Sequence, residues 1–319
     1  MSSTPKYLIV KGCAGIGNRL VTIYASIKYS EKTNRKLIID WEDGQFDVKG
    51  INAFDKCFDL NFTNYIQKTE IQNWNSLSHS SALFKANREA GVYDLYFDKQ
   101  NPLLLKLPNR LFFNEALRKL CRRWQPISHG NYFNSLAYGS DLSESQNEGV
   151  LYYVDFLPFV NYNELPKLVS IKEFLQKKIN NFSLANNISN AIGIHIRYTD
   201  KKPSADILKA IEFFKQKHNN SLIYLATDSV VVEMLFKENF NQIILFPKYS
   251  PQLNGEGLHQ WALYQQQNNL KYQMFEESII EMFVLSKCQT LYYQGNSTFS
   301  NISRVYHQNK KNCYDWTKL

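Results

Sequence analysis

Tyr7-Leu8-Ile9-Val10-Lys11-Gly12-Cys13-Ala14-Gly15-Ile16-Gly17-Asn18-Arg19-Leu20 decides the fold class of this chain. A short apolar run that gives way to glycines reads as a buried strand entering a tight loop. Leu20, Ile23, Tyr24, Ile27 and Ser30 then recur at helical spacing to about Lys32, and Lys36-Leu37-Ile38-Ile39-Asp40 is a second apolar run. Strand, glycine loop, helix and strand make a βαβ unit, so an α/β fold is predicted. The glycines have two readings. They let backbone N–H groups approach an anion at the positive end of the following helix, or they simply turn the chain tightly. The spacing is not that of a P-loop, and Leu20 stands where the dinucleotide fingerprint has its third glycine.

The same pattern returns in the second half. Ile192-Gly193-Ile194-His195-Ile196 is strand-like and runs into Arg197-Tyr198-Thr199-Asp200-Lys201, which crowds His, Arg, Asp and Lys at a strand end. Ser221–Ala226, Gln242–Phe246 and Thr290–Tyr293 are further predicted strands, and Ile171–Phe182, Val230–Phe236 and Phe275–Ser286 are predicted helices. Asp228 and Ser229 follow one strand, where they cap a helix or bind a ribose or phosphate. Gly295-Asn296-Ser297-Thr298-Phe299-Ser300-Asn301 follows another. Three strands ending in polar loops predict a Rossmann-like half in which the loops meet at one crevice.

Composition narrows the function classes. With 319 residues, two domains are expected, divided into 1–165 and 166–319 at the segment 155–166, which carries two prolines and two asparagines. Lys and Arg total 37 against 29 acids, and the net +8 favours anionic ligands. No basic and aromatic interleaving or zinc-finger spacing marks a nucleic-acid binder, so none is expected as partner. Cys13, Cys57, Cys121, Cys288 and Cys313 are odd in number and never paired as C-x-x-C, which fits free thiols in a reducing compartment. The first residues lack a signal-peptide order and no apolar run approaches membrane-spanning length, so a cytoplasmic protein is expected.

The region between the halves is less legible. Trp41-Glu42-Asp43-Gly44-Gln45 is a polar loop after a strand, where Glu42 and Asp43 are candidate acceptor-binding groups. At 109–124, Leu111, Phe113, Leu117, Leu120, Cys121 and Trp124 make one face of a helix rich in Arg and Lys. Such a helix either rests on an anionic membrane at its inner face or packs, solvated, on its own domain.

Taken in order, G-I-G-N-R-L at 15–20, H-I-R-Y-T-D-K at 195–201, L-A-T-D-S at 225–229, E-M-F-V-L-S at 281–286 and N-S-T-F-S at 296–300 form a set. It resembles the GDP-fucose-dependent fucosyltransferases of the α1,6/α1,2/protein-O superfamily, especially the nodulation-factor and N-glycan-core α1,6 branch. The resemblance covers the first 45 residues and most of 190–304. It implies a GT-B architecture, two Rossmann-like domains facing across a cleft, and metal-independent transfer of fucose with inversion to a glycan, oligosaccharide or glycolipid. By position it implies that Arg197 binds the β-phosphate as the main catalytic group. His195, Gly15, Gly17 and Asn18 would line the phosphate region, and Asp200 with Lys201 would extend it. Asp228, with Ser229 next to it, would sit near the guanosine, Glu281 would help hold the donor, and Ser297, Thr298 and Ser300 would close on phosphate. No cofactor beyond the donor substrate is implied.

Two departures qualify the match. The α1,6 branch has a Glu shortly after T-D-K, whereas this chain has Ala205 and then Asp206, so the base is either Asp206 or a first-domain group such as Glu42 or Asp43. Tyr198 stands where relatives have a second basic residue, which leaves the linkage open between α1,6 and α1,2. A nucleotide-sugar-binding protein without catalysis is the remaining alternative.

Overall fold

The structure is a computed structural model that describes residues 5–12, 14–42, 44–48, 50–71, 133–136, 150–153, 158, 160–200, 202–203, 205–251, 257–258, 262 and 267–319. The expected basic helix at 109–124, Asp43, Lys201, Cys13 and Cys121 lie outside the described residues. Among the described residues no helix is long and apolar enough to cross a membrane.

The described elements, in order, are β1 (Tyr7–Lys11), α1 (Ile16–Thr33), β2 (Lys36–Asp40), α2 (Ala53–Cys57), β3 (Phe58–Leu60), β4 (Phe133–Leu136), β5 (Val150–Tyr153), α3 (Leu165–Leu168) and β6 (Val169–Ile171). There follow α4 (Glu173–Ala185), β7 (Ile192–Ile196), α5 (Ile207–His218), β8 (Ile223–Thr227), α6 (Val230–Asn239), β9 (Ile243–Leu245), α7 (Asn268–Leu285), β10 (Thr290–Tyr293), α8 (Thr298–Tyr306) and β11 (Cys313–Asp315). Two compact units result: residues 1–14 with 18–170, and residues 15–17 with 171–319.

The first unit carries a parallel sheet in the order β2-β1-β5-β4. Leu8, Ile9, Val10, Leu37, Ile38 and Ile39 are wholly buried, as continuous apolar runs in parallel strands require. Leu20, Ile23, Tyr24 and Ile27 are also buried, so the predicted βαβ unit is present as read.

The second unit carries a five-stranded parallel sheet in the order β11-β10-β7-β8-β9. The chain lays down β7, β8 and β9 outward, then crosses back to place β10 and β11 on the other side of β7. This is the strand order of a doubly wound nucleotide-binding sheet, with its switch point between β7 and β10. The central strand β7 is buried at every residue. Gly193 is required there, because an added Cβ would lie 2.7 Å from Cys288 Sγ. Ile194, Ile196, Phe214, Ile223, Leu225, Val232, Phe236 and Tyr292 belong to one hydrophobic core on this sheet. Each such side chain contributes about 1.5–3 kcal/mol by leaving water.

α7 packs against α4, β7 and β8. Its residues from Ile279 to Leu285 are all buried, Glu281 among them. The helix therefore delivers a carboxylate to the interior, near the carboxyl ends of the strands.

Candidate functional site

The carboxyl ends of β7, β8 and β10 gather most of the expected donor-site residues in the second unit. At the end of β7, His195 is 5% exposed, and its ring stacks on Phe299 with centroids 5.1 Å apart. Its Nδ1 has no hydrogen-bond partner among the described residues. Burial, helped by the positive charges of Arg197 and Lys248, pushes its pKa down to about 3, so the imidazole is neutral at ordinary pH. A neutral imidazole is able to donate one hydrogen bond without carrying a charge.

Two residues on, the Arg197 guanidinium makes paired hydrogen bonds to Asp200, Nε to Oδ1 at 2.7 Å and a terminal nitrogen to Oδ2 at 2.6 Å. Asp200 was expected to extend a phosphate contact. Its carboxylate accepts both of these bonds, and an anionic group so placed orients the guanidinium. The remaining guanidinium N–H groups offer the planar fork that suits phosphate oxygens.

Asp228, at the end of β8, is used by the backbone of the same loop. It accepts from the Tyr198 N–H at 2.7 Å and from Thr199 Oγ1 at 2.6 Å, so it ties the end of β8 to the turn after β7. Ser229 caps α6 by accepting from the Val232 N–H at 3.4 Å, the first of the two alternatives read from sequence. Glu281 pairs with Lys248 at 2.5 Å, and Lys248 also donates to the Thr227 carbonyl at 2.6 Å. Burial raises the Glu281 carboxyl pKa even though Lys248 opposes the shift.

On the other side of the switch point, Ser297 and Ser300 are fully buried. Ser297 is the N-cap residue of α8, yet its hydroxyl makes no capping bond, and its Oγ has no partner among the described residues. The first N–H groups of a helix lack intrahelical acceptors and carry the positive end of the helix dipole. Ser300 Oγ donates to the Gln294 carbonyl at 3.3 Å, so it holds the loop. Thr298 is half-buried in the first turn. Gly17, counted with this unit, lies against that turn, since an added Cβ would be 2.7 Å from the Thr298 carbonyl carbon. Gly15 has open space around it, and Asn18 lies half-buried in the first turn of α1.

Asp206 is exposed and caps α5, its Oδ1 accepting from the Leu208 N–H at 2.9 Å. A cap was readable in the sequence, because Asp206 directly precedes Ile207, Ile211 and Phe214 at helical spacing. Sequence reading also missed Gln294, Lys248, Asp315 and Trp316. Gln294 Oε1 accepts from the Arg197 N–H at 2.9 Å, Asp315 accepts from the Gly295 N–H at 3.1 Å, and Trp316 Nε1 donates to the His195 carbonyl at 2.9 Å. None lies in a periodic pattern. The one signal was a polar Gln directly after the apolar strand Thr290–Tyr293.

In the first unit a second polar group sits at the ends of β1 and β2. Lys11 and Asp40 form a buried ion pair at 2.8 Å, Lys68 is 3.5 Å from Asp40, and Lys68 also pairs with Glu42 at 2.5 Å. Burial alone would raise the Asp40 carboxyl, but Lys11 and Lys68 hold it below the ordinary range. For Glu42 burial prevails and the pKa is raised. Arg19 is buried over the rings of Trp41 and Phe46 and reaches Gln45. Among the described residues no group of three His, Cys, Asp or Glu is placed to hold a metal ion.

A parallel sheet with a switch point between β7 and β10 defines a doubly wound α/β architecture. Among solved structures, the chain is similar to NodZ α1,6-fucosyltransferase soaked with GDP-fucose, at 17% identity and TM-score 0.60 over 95% of this chain and 92% of that one. Fucosyltransferase NodZ from Bradyrhizobium gives the same identity and TM-score. POFUT1 in complex with GDP matches at 10% identity and TM-score 0.53, over 98% of this chain and 99% of that one. A variant of Arabidopsis thaliana FUT1 in complex with GDP matches at 14% and 0.53, over 96% and 70%. The chain therefore shares the fold of these proteins. No protein-family model and no curated protein sequence matches it.

Proposed function

We propose that the protein is an inverting, metal-independent fucosyltransferase that moves fucose from GDP-fucose to a hydroxyl of a glycan, oligosaccharide or glycolipid, with α1,6-type linkage. The observation that carries this reading is the switch point of the second unit. There the Arg197 N–H is held by Gln294 just before the α8 N-terminus, and His195 Nδ1 and Ser297 Oγ, in the same strand-end loops, have no hydrogen-bond partner among the described residues. A buried polar atom left without a partner costs about 1–3 kcal/mol, and a diphosphate oxygen would satisfy such atoms. The fold shared with structures that hold GDP or GDP-fucose supports a nucleoside diphosphate sugar as the donor. In this reading the second unit holds the donor, the first serves the acceptor, and the two act across a GT-B cleft.

In the reaction the acceptor oxygen bonds to the anomeric carbon on the face opposite the diphosphate. The bond from that carbon to the β-phosphate oxygen breaks, and its electron pair leaves with GDP. Arg197, the His195 N–H and the α8 N-terminus stabilise the charge that develops on the leaving group. The acceptor proton passes to a carboxylate. The two candidates are Asp206, one oxygen of which caps α5, and Glu42, which pairs with Lys68 and whose carboxyl pKa is raised by burial.

A screen of GDP- and UDP-sugars tests the proposal, read first as thermal stabilisation and then as transfer across an acceptor panel. GDP-fucose should stabilise and be consumed. Stabilisation by UDP-sugars alone would sink the proposal, while GDP binding without transfer would leave a nucleotide-sugar-binding protein. NMR of the product distinguishes α1,6 from α1,2 linkage.

A further inference from the structure

We propose that Gln294 is a positioning residue for the anion site: its buried side-chain amide carries the sheet one rung further where β7 and β10 part, and so fixes the main chain from which Arg197 projects. The inference rests on the donor-binding role proposed for Arg197. The ladder between β10 and β7 pairs Thr290 with Ile192, Leu291 with Gly193 and Tyr292 with Ile194, and the pairing ends there. Beyond that point the strands separate, as they must at a switch point if a ligand is to enter between them. The Arg197 N–H, three residues past the last rung, would lose its sheet partner on that side.

Gln294 supplies the missing acceptor. It is 0% exposed, and its Oε1 receives the Arg197 N–H at 2.9 Å. Its Nε2 donates to Asn296 Oδ1 at 2.8 Å, which fixes the end of the amide that faces Arg197. Its backbone serves the other half of the site: the carbonyl accepts from the Ser297 N–H at 2.9 Å, and the N–H donates to Ser300 Oγ at 3.2 Å. One residue thus sets the registration of Arg197, Ser297 and Ser300 against one another. It does so without a charge of its own, which would disturb an anion bound beside it.

Calorimetric titration of GDP into the full chain tests this in a cycle of wild type, Gln294→Leu, Arg197→Ala and the double variant, with folding checked by circular dichroism. Gln294→Leu should weaken GDP binding about tenfold through a freed Arg197 backbone. In the Arg197→Ala background the same change should matter by less than about twofold, because the positioned group is gone. Equal effects in both backgrounds, or wild-type affinity in Gln294→Leu, would overturn the inference. Should Gln294→Leu fail to fold, Gln294→Glu keeps the shape and gives a pH readout. Its affinity relative to wild type should rise as pH falls toward about 5, where the carboxyl becomes neutral and regains the donor to Asn296 while still accepting from Arg197. A flat ratio overturns the inference. If wild type itself does not bind GDP, the functional reading falls and takes this with it, whereas normal wild-type binding with indifferent variants removes this inference alone.

Discussion

The two units finish their parallel sheets in opposite ways. At the ends of β1 and β2 the charges are closed upon one another, Lys11 with Asp40 and Lys68 with both Asp40 and Glu42. At the ends of β7 and β10, His195 Nδ1 and Ser297 Oγ are buried without a hydrogen-bond partner among the described residues, near an arginine paired with Asp200 and 3.9 Å from Asp228. A closed network spends its polar groups on the fold and keeps a loop in place. An open one leaves them for an external partner. The same α/β architecture thus ends one sheet in paired charges and the other in the polar loops for which an anionic ligand is proposed.

Four changes would break or sharpen that contrast. The largest effect is expected at the closed edge. Lys11→Met leaves Asp40 buried without its nearest cation and should lower unfolding stability by about 3–5 kcal/mol in urea titration. A loss under about 1 kcal/mol would show that the edge is not closed in this sense. Next, Arg197→Ala at the open edge should leave the melting temperature nearly unchanged yet reduce transfer by roughly 10²–10³-fold in kcat. Near-normal turnover would remove Arg197 from the chemistry. Glu42→Gln probes whether the closed edge also takes part in chemistry, with an expected loss of about a hundredfold in kcat and little change in GDP affinity. Unchanged turnover would confine Glu42 to structure.

The last effect concerns pH and is read as a slope. His195 has a folded pKa of about 3 against an ordinary value of 6.5, so the unfolded chain binds the proton more tightly. Its contribution to stability is complete above about pH 6.5 and is lost as pH falls toward 3, by up to about 1.4 kcal/mol per pH unit. His195→Gln should flatten the slope of unfolding free energy between pH 6 and 4 by about that amount. Parallel slopes in the two proteins would mean that His195 is not held neutral.

Much of this was legible in the sequence where apolar periodicity carried it. β1, α1, β2, β7, β8 and β10 follow from runs of Ile, Leu, Val and Tyr, because buried parallel strands need apolar residues on both faces. α7 was read from Phe275 but begins at Asn268, since its first turns are polar and partly exposed and only its stretch from Ile279 to Leu285 is buried at every residue. β3, β6 and β11, at three residues each, are defined by their partners rather than by their own composition. At the site, His195, Arg197 and Ser297 stood out as polar residues at strand and helix ends. Gln294 and Trp316 did not, because their importance comes from partners 97 and 121 residues away. A linear pattern does not contain such pairings. Asp206 is the opposite case: its partner is two residues along the chain, and a local cap shares the carboxylate for which a long-range role was read.

Those sequence separations also bear on how the molecule reaches its working state. The bonds from Gln294 to Arg197 and from Trp316 to His195 close long stretches of chain, and contacts of that kind are entropically expensive to nucleate and tend to form late. The strand ends proposed to hold the donor are thus expected to be among the last parts of the second unit to be assembled during refolding. A ligand that binds only that completed edge would act as a trap for finished molecules, and including it during refolding should raise the yield of native protein.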